Sequence, residues 1–218
     1  MKRHLIIGAS GGIGSAMAQV LQGEVVGLSR SADGLDITDE ASIAQVLGGL
    51  EGRFDTIFVA TGALTAGGHA PEKTIKALSA EALLAQFQVN AMGPALILKH
   101  ALPLMPRDRR CIFAALSARV GSIGDNQIGG WHSYRASKSA LNQLIHGAAI
   151  ELARTHKQAI CVALHPGTVA TPFTAEYAAR HSTVQPVPAA ESLTRVMDGL
   201  TQSQSGGFFD YSGAEVPW

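Results

Sequence analysis

The chain has 218 residues, and its 17 Lys and Arg balance its 17 Asp and Glu, so the formal net charge is zero. This balance argues against a nucleic-acid binder, which needs excess cations, and two cysteines cannot form a disulfide framework, which favours a reducing, cytoplasmic setting. The apolar run at residues 5–7 is too short for a signal peptide, and no run approaches the roughly 18 apolar residues of a membrane span.

Strands and helices are predicted to alternate along the chain. Apolar runs predict strands at residues 3–7, 24–28, 35–38, 56–60, 110–116, 159–164 and 208–211. Spacings of three and four predict helices at 13–21, 40–50, 79 to about 104, 133–155 and 189–200. Gly93-Pro94 is expected to bend the third helix, and Thr38 or Asp39 to cap the second. Strands without polar alternation are typical of a parallel sheet covered on both faces. We expect one α/β domain over residues 1–218.

A glycine-rich loop follows the first predicted strand. It reads Gly8-Ala9-Ser10-Gly11-Gly12-Ile13-Gly14, with the spacing G-x-x-x-G-x-G. Glycine allows positive φ and close backbone approach, and the helix that follows begins with unpaired N–H groups suited to a pyrophosphate. An ordinary glycine-rich turn is the alternative interpretation.

The second predicted strand is followed by Ser29, Arg30 and Ser31, where a dinucleotide site holds the adenosine ribose. No acidic residue stands there to repel a 2′-phosphate, and Arg30 would attract one, which favours NADP(H) and leaves NAD(H) possible. A solvated surface role for Arg30 stays open. Asp36 is a candidate to meet the adenine amino group or to cap a helix.

Tyr134 and Lys138 are four residues apart and therefore share one face of the long predicted helix. A free tyrosine has a pKa of about 10, and a nearby ammonium favours the phenolate that an acid/base catalyst needs. By itself this spacing is frequent, and a half-buried tyrosine beside a surface lysine would show it too.

The glycine loop, Asn90, Ser117, the Tyr134/Lys138 pair and residues 166–171 occur in an order that resembles the short-chain dehydrogenases/reductases. Residues 117–141 and 208–218 are similar to the C-factor-like group of that family. The resemblance implies a Rossmann-type doubly wound fold of about seven parallel strands, ordered 3-2-1-4-5-6-7, with helices on both faces.

The resemblance also implies roles for individual residues. Tyr134 would be the general acid/base, and Lys138 would bind the nicotinamide ribose and lower the pKa of Tyr134. Ser117 would donate to the substrate carbonyl, and Asn90 would hold a water that connects Lys138 to solvent. The cofactor would contact the glycine loop, the end of the second strand, the residues after the fourth strand and those after the sixth: Gly8, Ser10, Gly11, Gly12, Ile13, Gly14, Arg30, Asp36, Ile37, Ala60, Thr61, Gly62, Pro166, Gly167, Val169 and Thr171.

Three positions depart from the family pattern. The asparagine-rich stretch after the fourth strand is Val59-Ala60-Thr61-Gly62, of which Gly62 alone matches. The serine usually found three residues before a glycine falls on Ala118, so Ser117 stands one residue early and Ser122 is a further candidate. Ile7 replaces the threonine common before the first glycine.

The leading functional hypothesis is an NADP(H)-dependent oxidoreductase that interconverts a small or apolar ketone or aldehyde and its alcohol. A non-catalytic dinucleotide-binding signalling protein is the alternative, and epimerisation or dehydration at the same site is a third. Trp131, Phe173 and Tyr177 are candidates to line an apolar pocket. The eight histidines lack metal-ligand spacing, so we expect no metal. The family resemblance implies a homodimer or homotetramer, with Ala136, Ala140, Ala148 and Ala149 permitting close helix packing.

Overall fold

A computed structural model describes residues 1–174 and 182–218. Six parallel strands of the described residues form one sheet in the order β2-β1-β3-β4-β5-β6. They are β1 (Arg3–Ile7), β2 (Glu24–Leu28), β3 (Thr56–Val59), β4 (Cys111–Leu116), β5 (Ala159–His165) and β6 (Phe208–Asp210). The doubly wound α/β fold is confirmed.

Residues 35–38, predicted as a strand, form a turn instead. The Asp36 carboxylate accepts hydrogen bonds from the Thr38 N–H at 2.8 Å and from the Thr38 hydroxyl at 2.7 Å. Such local side-chain bonds compete with a sheet ladder, and Leu35 is buried without strand pairing. The sheet therefore has six strands among the described residues rather than seven, while the order of the others is as predicted.

Seven helices surround the sheet in the described part of the chain. They are α1 (Gly12–Val20), α2 (Arg30–Asp33), α3 (Glu40–Gly48), α4 (Ala80–Phe87), α5 (Gly93–Ala101), α6 (His132–Thr155) and α7 (Pro186–Gly199). Asp39 caps α3 by accepting from the Ala41 N–H at 2.9 Å, which decides between Thr38 and Asp39. None of these helices combines the length and the apolar character that crossing a membrane requires.

The long helix predicted at residues 79 to 104 is divided in two. A π-helical turn, Gln88–Met92, separates α4 from α5, so the irregularity lies just before Gly93-Pro94. Pro94 has no N–H to donate to the carbonyl of Asn90, four residues earlier. The turn that carries Asn90 therefore lacks one of the regular α-helical hydrogen bonds.

The strands other than the edge strand β2 are buried on both faces, which explains their largely apolar sequences. Leu5 and Ile7 point to one side, where they join the buried faces of α3, α5 and α6. Ile6 points to the other side, where it joins α1 and α7. This alternation is the two-residue period of a strand packed between two helical layers.

The carboxyl ends of all six strands share one edge of the sheet. The chain leaves β1 in one direction to β2 and later returns to β3 on the other side of β1. Such a switch of direction opens a crevice beyond the strand ends, where doubly wound folds bind ligands. The loops that follow β1, β3, β4 and β5 meet there.

Candidate active site

The glycine loop between β1 and α1 is shaped by contacts that exclude side chains. Gly8 has φ of +86°, and a Cβ on Gly14 would lie 2.2 Å from the Gly8 carbonyl oxygen. The N-cap residue Gly11 offers no side-chain hydrogen bond, and the first turn of α1 holds no acidic residue. The first N–H groups of α1 are therefore left for an anion.

The segment after β5 packs directly on this loop. A Cβ on Gly12 would lie 2.5 Å from Thr171 Cγ2, and Gly167 has φ of +78°. The Ala170 N–H donates to the Val184 carbonyl at 2.9 Å, which holds the segment in place, and Val169 is buried. The structure thus brings together two of the segments that the sequence assigned to one cofactor.

At the end of β2, Ser29 is occupied in local bonds. Its Oγ accepts from the Ala32 N–H at 3.2 Å, and its own N–H donates to the Asp33 carboxylate at 2.7 Å. The Asp33 carboxylate is therefore bonded to the backbone of Ser29. Arg30 and Ser31 are exposed, and none of the ion pairs within residues 1–174 and 182–218 involves Arg30.

The turn after α2 places two more of the predicted cofactor residues. The hydrogen bonds from Thr38 lower the pKa of Asp36, and the charge of Arg30 lowers it further. Asp36 therefore lies near Arg30 and does not cap α3, whose cap is Asp39. A Cβ on Gly93 would lie 2.8 Å from the Ile37 carbonyl oxygen, so glycine permits this turn to pack on α5.

Tyr134 and Lys138 lie in the first two turns of α6 and are both buried, with 4% and 3% of their surfaces exposed. The Lys138 ammonium donates to the Leu116 carbonyl at 2.8 Å. Burial lowers the pKa of Lys138 to about 7 and raises the pKa of Tyr134 above its ordinary value. The lowered pKa of Tyr134 that we expected is thus not a property of the protein alone.

Asn90 and Gly62 meet Lys138 from the neighbouring elements. A Cβ on Gly62 would lie 3.2 Å from Asn90 Oδ1 and 3.4 Å from Lys138 Nζ. The fully buried Asn90 accepts from the Ala63 N–H at 2.9 Å and donates to the Ala63 carbonyl at 2.8 Å. The Asn90 side chain therefore fixes the loop after β3, while Pro94 leaves the Asn90 main-chain carbonyl without its helical donor.

Gln86 completes this network, and the sequence interpretation missed it. Gln86 is buried, donates to the Leu64 carbonyl at 2.7 Å and accepts from the Asn90 amide. Its position four residues before Asn90, on the same helix face, was the available signal.

Ala60 and Thr61 line the cleft beside the glycine loop. A Cβ on Gly8 would lie 3.0 Å from Thr61 Cγ2 and 3.2 Å from the Ala60 carbonyl carbon. Thr61 Oγ1 is buried and has no hydrogen-bond partner among the described residues. Buried hydroxyls are normally paired, so this atom fits a polar ligand in the cleft.

Both candidate serines form hydrogen bonds within the protein, but Ser117 acts as a donor and Ser122 as an acceptor. The buried Ser117 hydroxyl donates to Asn142 Oδ1 at 2.6 Å, and Ser122 Oγ accepts from the Asp125 N–H at 3.0 Å. A hydroxyl has one proton to donate, so Ser117 would have to exchange its bond to Asn142 before it could meet a carbonyl.

Aromatic rings flank Tyr134. The ring centroid of Trp131 lies 6.2 Å away and that of Phe173 lies 6.4 Å away. Phe173 is 40% exposed and lies 4.0 Å from the position of a Cβ on Gly62. Tyr177 lies outside the described residues. Two sides of Tyr134 are therefore lined by aromatic rings.

Comparison with known proteins decides the family. A family model described as enoyl-(acyl carrier protein) reductase matches residues 8–199. The chain is a short-chain dehydrogenase/reductase. As an oxidoreductase of this family, it is 28% identical over the full length of both chains to a 1-hydroxy-2-glutathionyl-2-methyl-3-butene dehydrogenase of a Rhodococcus species. It is 35% identical to the C-signal of Myxococcus xanthus over 61% of this chain and 76% of that protein.

Two solved structures superpose over the whole chain. The carbonyl reductase Sniffer of D. melanogaster has a TM-score of 0.84 at 21% identity, with both chains fully covered. A short-chain dehydrogenase/reductase of Burkholderia multivorans, solved with bound NADP, has a TM-score of 0.80 at 26% identity and covers 100% of this chain and 99% of that one.

Proposed function

We propose that this short-chain dehydrogenase/reductase is NADP(H)-dependent and interconverts a small or apolar ketone or aldehyde and its alcohol. The observation that carries the proposal is the buried pair Tyr134 and Lys138, placed on one face of α6 beside Gly62 and Asn90. The exposed Arg30 at the end of β2 supports the phosphorylated cofactor, as does the relative from Burkholderia multivorans with bound NADP.

Tyr134 supplies the proton in this proposal. Burial raises its pKa, so in the protein alone the phenol stays protonated and acts as an acid toward a carbonyl oxygen rather than as a base. The bound nicotinamide supplies the hydride chemistry. Lys138, now hydrogen-bonded to the Leu116 carbonyl, would turn to the ribose, and the Asn90 carbonyl would hold the water that connects Lys138 to solvent. Ser117 stays the predicted donor to the carbonyl oxygen.

The substrate class follows from the surroundings of Tyr134. Trp131 and Phe173 flank it with aromatic surface. Burying apolar substrate surface there is favourable by about 25 cal/mol per Å². An apolar carbonyl compound is therefore better matched than a charged one.

Tyr134→Phe tests the proposal. Removing the hydroxyl while keeping the ring should abolish reduction of an apolar aldehyde or ketone panel, because the proton donor is lost. Fluorescence titration should give NADPH affinity within about twofold of the parent, since the ring contacts persist, and both proteins should prefer NADPH to NADH. Tyr211→Phe, a change at a half-exposed tyrosine, is the control and should retain turnover. Full turnover by Tyr134→Phe would contradict the mechanism.

A non-catalytic signalling role is the second candidate. The likeness to the C-signal of Myxococcus xanthus favours it, and so does the Ser117 hydroxyl committed to Asn142. Tight NADPH binding without turnover of any carbonyl compound in a broad panel would support this role over reduction.

A further inference from the structure

The helix that carries Tyr134 begins in an unusual way. Its N-cap, Trp131, has left-handed backbone with φ of 51°, and it provides no side-chain hydrogen bond to the helix. It is the sole non-glycine residue with positive φ within residues 1–174 and 182–218. A bulky residue adopts this conformation only when its surroundings impose it. The first turn of α6 therefore depends on groups from elsewhere in the chain.

Glu72 provides these groups from the loop after β3. Its main-chain carbonyl accepts from the Trp131 N–H, and its carboxylate accepts from the Ser133 N–H at 3.1 Å. Glu72 is 5% exposed and contacts the helix across 61 residues of sequence. One residue thus satisfies the backbone on both sides of His132, immediately before Tyr134.

The Glu72 carboxylate is charged at neutral pH. Burial acts to raise the pKa of Glu72, but hydrogen bonds from Ser133 and from its own backbone bring the pKa below the ordinary value. A negative charge at a helix N-terminus is also favourable. One carboxylate oxygen, Oε1, is buried without a partner in the described part of the chain. Burying a charged carboxylate costs free energy, so packing alone does not explain why Glu72 is placed at the start of this helix.

We propose that Glu72 is a positioning residue that sets the orientation of Tyr134. The loop that holds Glu72 begins with Gly62 and Ala63, which contact Lys138 and Asn90. Glu72 therefore ties the opposite end of this loop to the first turn of α6, so that the tyrosine and the lysine are held by one segment. This inference rests on the proposed function in its kinetic part only.

The decisive variants are Glu72→Ala, which removes the acceptor, and Glu72→Gln, which keeps an acceptor oxygen of the same reach. In Glu72→Ala, amide exchange at Ser133 should accelerate by about tenfold, the effect of one lost hydrogen bond. Its kcat should fall roughly ten- to a hundredfold, because catalysis is sensitive to misplacement on the ångström scale. KM and NADPH affinity should change by no more than about twofold. Glu72→Gln should recover both exchange protection and kcat to within about threefold of the parent.

Asp55→Ala is the matched control for Glu72→Ala. Asp55 likewise accepts from a backbone N–H, that of Arg3 at 2.9 Å, but it precedes β3 at the opposite edge of the sheet. It should lose stability without losing kcat. A Glu72→Ala protein that exchanges faster yet keeps kcat would overturn the proposal. So would an equal loss of kcat and NADPH affinity, which would indicate general disruption.

Two further readouts keep the proposal testable if the variant or the proposed function fails. If Glu72→Ala does not fold, a folded Glu72→Gln with kcat reduced tenfold or more would overturn the role of the acceptor oxygen. If the parent reduces no carbonyl compound, the proposal is tested by near-ultraviolet circular dichroism of the Trp131–Tyr134 pair. The measurement is made in a Trp218→Phe background, which leaves Trp131 as the single tryptophan. The signal should change in Glu72→Ala and return in Glu72→Gln, and an unchanged signal would overturn the proposal.

Discussion

The hydroxyl proton of Ser117 is donated to another side chain of the protein. Ser117 bonds to Asn142, one turn beyond Lys138 on α6, and both residues are buried. In the family pattern, the serine stands at the position of Ala118, which is half-buried here. Ser117 thus has a structural role in its hydrogen bond to Asn142, and donating to a substrate carbonyl would compete with that bond.

Substitutions at positions 117 and 118 separate the structural role of Ser117 from a catalytic one. Ser117→Ala leaves Asn142 Oδ1 without its donor, so the free energy of unfolding should fall by about 1–3 kcal/mol. Because the hydroxyl proton is already committed, kcat should fall less than in Tyr134→Phe. Adding Ala118→Ser to Ser117→Ala should raise kcat again by supplying a hydroxyl where the family pattern has one. Denaturant unfolding and steady-state kinetics measure both, and a double variant no faster than Ser117→Ala would contradict this view.

Residues with local signals were predicted, and residues with distant partners were not. The glycine loop was recognised from its own spacing, whereas Tyr134 and Lys138, whose spacing is frequent, were assigned from the order of the motifs along the chain. Glu72 reaches Ser133 across 61 residues, and no spacing in the sequence reports such a contact. Contacts of this kind are set by the path of the loop after β3, which has no periodic pattern.

At the scale of elements, apolar runs located six strands, most of which are apolar because they are buried on both faces. Residues 35–38 were predicted as a strand but form a turn, because Asp36 and Thr38 bond to each other instead of pairing with β2. The long helix was expected to bend at Gly93-Pro94, and the structure interrupts it immediately before these residues, at residues 88–92, with a π-helical turn that has the same apolar spacing to within one residue. At both places local hydrogen bonding sets the backbone conformation, and the hydrophobic pattern of the sequence does not report it.

Two helical glycines give opposite expectations for one substitution. Gly147 lies in the middle of α6 with open space where a Cβ would stand, whereas a Cβ on Gly14 in α1 would lie 2.2 Å from the Gly8 carbonyl oxygen. Gly147→Ala should stabilise the protein by about 0.5–1 kcal/mol, because alanine loses less backbone entropy in a helix. Gly14→Ala should destabilise it and abolish NADPH binding. Thermal unfolding and NADPH titration test the pair, and stabilisation by Gly14→Ala would refute the close contact between Gly14 and Gly8.

For the whole molecule, oligomerisation stays a prediction, and the surface proposed for it needs revision. Ala149 lies in the chain's own core, and Ala140 and Ala148 pack against that core. The exposed apolar side chains of α6 are instead Leu144 and Ile150. Ala149 is thus buried within the chain itself, whereas Ala136, Ala140 and Ala148 are half-buried in the single chain.

The buried lysine makes global stability depend on pH. Between about 7, the pKa of Lys138 in the folded protein, and 10.5, its ordinary value, the unfolded chain holds a proton that the folded chain has released. The free energy of unfolding should therefore rise with pH through this window, because the unfolded state binds more protons. Burial raises the pKa values of Tyr134, Cys111 and Cys161, which acts in the opposite direction at higher pH.

The contribution of Lys138 is consequently isolated between about pH 7 and 9, below the ordinary pKa values of these three groups. Urea unfolding at several pH values in this range should show a rising free energy for the parent and a flatter dependence for Lys138→Met, which removes the titrating group. Lys157→Met, at an exposed lysine that follows α6, is the control and should keep the slope of the parent. A slope that survives in Lys138→Met would show that another group carries the pH dependence and that Lys138 is not buried uncharged at the upper end of this range.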